Sequence, residues 1–113
     1  MQALEWKIRD GQEERGCNVR VDCSERLQAF LAAVKTDPFI GPAHISLYIA
    51  LLGFAMDHDF RRPLYLFARQ LMDTAKISGA ATYHKCMKDL IRLGYVNYRP
   101  SHNRFLGSEF GLG

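Results

Sequence analysis

The chain has 113 residues, of which 48% are hydrophobic and 24% charged, and its net charge is +3. That length favours one domain with a real core, and that composition excludes wholesale disorder. The charge is uneven: residues 1–60 hold six Lys/Arg against nine Asp/Glu, whereas residues 61–113 hold nine against three. The C-terminal half is therefore the part that attracts a polyanion, the alternative being a basic face that only solvates.

Residues 1–20 include Gly11 and Gly16 among alternating charges and show no apolar period, so they read as a flexible arm ahead of a domain spanning 21–113. From Ser24 the pattern turns helical. Asp22 or Ser24 serves as cap, and Leu27, Phe30, Leu31 and Val34 recur on one helix face up to Lys35. Pro38 ends that run by disfavouring helical geometry in the residue before it. A second helix starts at Pro42 after Gly41 and is apolar on nearly every side from Ile45 to Met56, as a central helix should be. Leu64–Leu66 suits a brief strand. Ala68–Ala75 suits a short helix, and Lys76-Ile77-Ser78-Gly79 a tight turn with Ile77 plugging the core.

A further helix runs from about Ala80 to Leu93, with Tyr83, Met87, Leu90 and Ile91 inward and Gly94 as a left-handed C-terminal cap. Residues 95–99 alternate as a strand, Pro100-Ser101-His102-Asn103 is turn chemistry, and Glu109–Leu112 returns as the partner strand. Tyr83, Tyr95 and Tyr98 are assigned to the core. The resulting fold class is mainly α with a small β-hairpin: a winged helix-turn-helix with an extra N-terminal helix.

The block Thr82-Tyr83-His84-Lys85-Cys86-Met87-Lys88-Asp89-Leu90, then Gly94-Tyr95-Val96 and Arg99-Pro100-Ser101, resembles the third helix and wing of winged-helix regulators of the MarR type. Residues 82–86, 94–95 and 100–103, with His44-Ile45-Ser46-Leu47-Tyr48, are more closely similar to small winged-helix proteins of Bacteroides-type bacteria and their mobile elements. Those proteins are labelled transcriptional regulators or likened to DnaD-type replication proteins. The resemblance spans Thr36 to Ser108, about two thirds of the chain. It implies a winged-helix fold and a role in DNA binding. The chain departs from those relatives at three places: Phe67 where they carry a Ser cap, Ala80 where they carry a polar or basic residue, and Arg104 where they carry Pro.

With Tyr83, Met87 and Leu90 inward, the opposite face of that helix presents Ala81, Lys85, Lys88 and Arg92, a basic stripe suited to a major groove. Thr82 stands near the helix start, where backbone amides favour a phosphate. Arg69, Lys76 and Ser78 flank the stripe, and Arg99, Ser101, His102, Asn103 and Arg104 form a wing for the backbone or minor groove. The expected partner is double-stranded DNA, bound by a transcriptional regulator that forms a homodimer through Leu27, Phe30 and Leu31. The competing reading is a winged helix used for protein–protein contact in replication or mobile-element maintenance, with Phe105, Leu106 and Phe110 as its apolar residues.

Catalytic readings have no support. His84 and Cys86 are two apart on a helix and point to different sides, so they do not pair a nucleophile with a base. Cys17 and Cys23 lack zinc-knuckle spacing, Asp57 and Asp59 with His44 and His58 are helix-end residues, and no Gly-rich phosphate loop is present. No cofactor or metal is expected. Cys86, beside Met87, reads as a packing residue. Three cysteines make an odd set for disulfides, and the Ile45–Met56 run is too short for a membrane span, so the expected compartment is the cytoplasm.

Overall fold

The computed structural model describes residues 13–60, 64–100, 105 and 107–112, with side chains from Cys23 onward. Its elements in chain order are α1 (Glu13–Val34), α2 (Pro42–Asp57), β1 (Leu64–Leu66), α3 (Ala68–Ala75), α4 (Ala80–Arg92), β2 (Val96–Arg99) and β3 (Ser108–Leu112). The described chain is mainly helical, with a small antiparallel sheet in the order β1-β3-β2.

Two expectations about the elements themselves need correction. The first helix begins at Glu13 rather than at a cap near Ser24, so it extends into the stretch assigned to a flexible arm. The expected hairpin is three-stranded: β3 pairs on one side with β2 (Val96↔Leu112 to Arg99↔Glu109) and on the other with β1 (Leu64↔Phe110 to Leu66↔Ser108). The approach of β3 to the end of β1 explains Gly107. Its φ is +78°, and a Cβ there would lie 2.5 Å from the Leu66 carbonyl oxygen, so only glycine fits without displacing backbone.

The other elements follow their local chemistry. Pro42 occupies the first turn of α2, where its missing N–H costs nothing. Gly94 adopts φ +87° after α4, which lets the chain leave the helix and enter β2. α2 runs through the middle of the core, contributing Leu47, Tyr48, Ala50, Leu51, Leu52 and Ala55. α3 and α4 both pack on it, and Leu71 of α3, Leu90 of α4 and Val96 of β2 join the same core and are themselves sealed from solvent. Such a helix is held by burial from several directions rather than by one amphipathic stripe.

α1 joins this core through Phe30, which is 2% exposed and stacks on Tyr48 with ring centroids 3.9 Å apart, while Tyr95 meets it edge-on at 5.1 Å. Arg26 of α1 also donates from Nη1 to the Leu112 carbonyl at 3.2 Å, tying the helix to β3. The proposed dimer residues are thus corrected: Phe30 is consumed inside its own chain, Leu27 is half-buried against the same core, and Leu31 alone of the three remains exposed. No helix among the described residues is long and apolar enough to cross a membrane.

Candidate nucleic-acid interface

α3 and α4, joined by the turn at 76–79, are each packed against α2. Phe67 has no side-chain oxygen to cap α3, and only the reciprocal half of a capping box is made: Gln70 Oε1 accepts the Phe67 N–H at 2.8 Å. Leu71 and Ala75 anchor the helix in the core, and the Ser46 hydroxyl of α2 donates to the Ala75 carbonyl at its end. Lys76 then takes the left-handed conformation (φ 63°, ψ 39°), which reverses the chain, and the Ile77 N–H returns to the Met72 carbonyl at 3.0 Å. Ile77 is buried, as its position in the turn suggested. Gly79 is extended and carries no capping side chain, so the first amides of α4 meet no side-chain acceptor. The residues around them, Gly79, Ala80, Ala81 and Thr82, are all exposed.

On α4 the inward face is Tyr83, Cys86, Met87 and Leu90. Burial pushes the Tyr83 hydroxyl up to about 12 and raises the Cys86 thiol above its ordinary value, so Cys86 is held as a neutral packing group. The outward face carries Ala81, Thr82, His84, Lys85, Lys88 and Arg92, all exposed. The expected stripe is therefore formed, yet it is interrupted by Asp89. This carboxylate takes Lys85 Nζ at 3.4 Å, Arg92 Nη2 at 3.3 Å and His44 Nε2 at 2.8 Å. Those bonds, the His44 bond first, hold its carboxyl down at about 2 although partial burial opposes them.

His44 is the one buried polar side chain among the described residues. It reaches that state because both ring nitrogens are used: Nδ1 accepts the Gly41 N–H at 3.0 Å and Nε2 donates to Asp89. The acceptor role of Nδ1 fixes the neutral tautomer with its proton on Nε2. One imidazole thus caps the start of α2 and tethers α4 to it. Arg92 is restrained further, with its guanidinium 5.6 Å from the ring centre of Phe39.

The remaining predicted contacts are dispersed. Arg69, Lys76 and Ser78 are exposed on α3 and the turn. Arg99 is exposed on β2, opposite Glu109 of β3 in register. Ser101, His102, Asn103, Arg104 and Leu106 lie outside the described residues, and the neighbouring Phe105 is 81% exposed. Tyr98 departs from its core assignment: its ring leans on Phe110 at 5.3 Å, but it is 43% exposed and its hydroxyl meets the Ser108 hydroxyl at 3.2 Å. Sequence reasoning overlooked Asp89 and His44 as parts of the site. The spacing Lys85, Asp89, Arg92 was the available signal for the first, since residues three and four apart share a helix face. Nothing local signals the pairing of His44 with a residue 45 positions away.

Among the described residues no group of three His, Cys, Asp or Glu is placed to hold a metal ion. No protein-family model, curated protein or solved structure matches the chain.

Proposed function

We propose that the chain is a winged helix-turn-helix protein that binds double-stranded DNA as a cytoplasmic transcriptional regulator, in line with the small winged-helix regulators it resembles. The observation that carries this reading is the exposed start of α4, which joins small residues, uncapped amides and two lysines in three turns. A helix that follows a tight turn in this way enters a major groove by its N-terminal residues. Ala80 and Ala81 let the backbone come close, and the free amides favour a phosphate. Thr82, Lys85 and Lys88 supply contacts along one face, with Arg69, Lys76 and Ser78 beside them on the backbone. β2 and β3 form the wing, with Arg99 at the end of β2 that leads into the connecting loop, and the sequence offers Ser101, His102, Asn103 and Arg104, outside the described residues, as further contacts. With so few base-reading side chains on α4, affinity comes mainly from phosphates.

Fluorescence anisotropy of a labelled duplex tests this with the wild type and a Lys85→Ala/Lys88→Ala variant at about 50 and about 200 mM salt. The expected result is wild-type binding that weakens steeply with salt and falls at least about tenfold in the variant. A folded wild type that fails to bind at the lower salt overturns the proposal.

One observation favours a second reading, a protein–protein module. Between α2 and α3 lies an open, largely apolar groove of about 570 Å³, lined by Ile49, Gly53, Phe54 and Met56 with Ser46, Asp57 and Thr74 at its polar points, and its Ile49 and Met56 are exposed. Contact made there would be insensitive to salt.

A further inference from the structure

Four charged side chains share the outer face of α4, and they are not equivalent. Lys85 and Arg92 lie one turn to either side of Asp89 and both reach its carboxylate. Exposed ion pairs usually hold weakly, because two long side chains must be ordered for one contact in water. Here one partner is already ordered. The Asp89 side chain is 17% exposed and pinned by His44, whose ring is itself fixed from its far side by the Gly41 N–H. Arg92 has a second restraint in Phe39. Lys88 makes no ion pair among the described residues.

We infer that Asp89 is a positioning residue that limits how many cations α4 offers to a polyanion, drawing Lys85 and Arg92 aside and leaving Lys88 as the principal contact. The inference rests on the DNA-binding reading above. A phosphate approaching Lys88 gains one cation at once. To gain Lys85 or Arg92 it must displace a carboxylate that stays behind as a negative charge beside the DNA backbone. The stripe of three cations counted from the sequence therefore acts as fewer, which weakens non-specific attachment to any duplex.

Asp89→Asn tests this, because the amide oxygen still accepts from His44 Nε2 while the negative charge is removed. The variant is expected to bind the same labelled duplex about tenfold tighter than the wild type at about 50 mM salt, with a log–log salt slope steeper by about one. A purely structural role would not steepen that slope. Lys85→Ala is expected to change affinity by less than about twofold in the wild type, and to weaken it several-fold in the Asp89→Asn background. Wild-type binding with no gain in Asp89→Asn overturns the inference alone, as does a loss in Lys85→Ala equal to that in Lys88→Ala. Absence of binding by both the wild type and Asp89→Asn overturns the DNA reading and the inference with it.

Discussion

The two ends of α4 live in different circumstances. Its first turn stands clear of the rest of the protein on its outer side: no capping side chain and no acidic residue, with Ala80, Ala81 and Thr82 all exposed. Its last turns are tied down, by His44 through Asp89, by Phe39 through Arg92, and by Tyr95, whose hydroxyl donates to Asp37 at 3.4 Å just beyond the helix. The same helix is thus open to solvent at one end and a strut at the other. A cation count cannot make this distinction, because availability depends on which charges a folded neighbour has already claimed.

If the strut is real, removing its centre should cost more than removing any outward lysine. His44→Ala is expected to destabilise the fold by about 1–3 kcal/mol, since it leaves the Gly41 N–H without its acceptor and releases α4 from α2. The urea midpoint at neutral pH measures this. An unchanged midpoint would mean that α4 is held by Leu90 and Met87 alone, and the contrast between its two ends would collapse.

Acid gives a second, smaller test of the same end. Asp89 titrates at about 2 in the folded chain, below the ordinary carboxylate value of 3.8. A depressed folded value means that the unfolded chain takes up the proton first as pH falls. The stabilisation from this carboxylate is therefore complete above pH 3.8 and lost as pH drops through about 2. Wild type should be more stable than Asp89→Asn at pH 5, and the difference should shrink toward pH 2, as urea midpoints at the two values would show. A constant difference would mean that the bonds of Asp89 do not depend on its charge.

What could be read in advance was what is local. Pro42 after Gly41 opens α2, Ile77 is buried in its turn, Gly94 adopts a left-handed φ, and the inward set Tyr83, Met87 and Leu90 follows from helical spacing. What escaped depends on distant partners or on weak local signals. Gly16 and the absence of an apolar period hid the start of α1 at Glu13. The pairing of Leu64–Leu66 with β3 joins segments more than forty residues apart, and strand pairing leaves no trace in either segment alone. Phe30 looked available for a second copy because its helix face was read without Tyr48 and Tyr95 opposite it. For the site, the cationic residues of α4 were found by periodicity, whereas their unequal freedom emerged only once His44 had placed Asp89 among them.

The smallest expected effect is the most discriminating. Lys88 is exposed on α4 and forms no ion pair among the described residues, so Lys88→Ala removes no native contact of consequence and replaces lysine with a residue of equal or better helix propensity. Its stability should stay within about 0.5 kcal/mol of the wild type. A urea midpoint that moved well beyond that would mean that Lys88 is held as Lys85 and Arg92 are, and would erase the distinction between free and claimed cations on α4. A midpoint that stays put makes Lys88→Ala the cleanest probe of α4: whatever the substitution does to a bound polyanion is then done by the lost charge and not by a loosened fold.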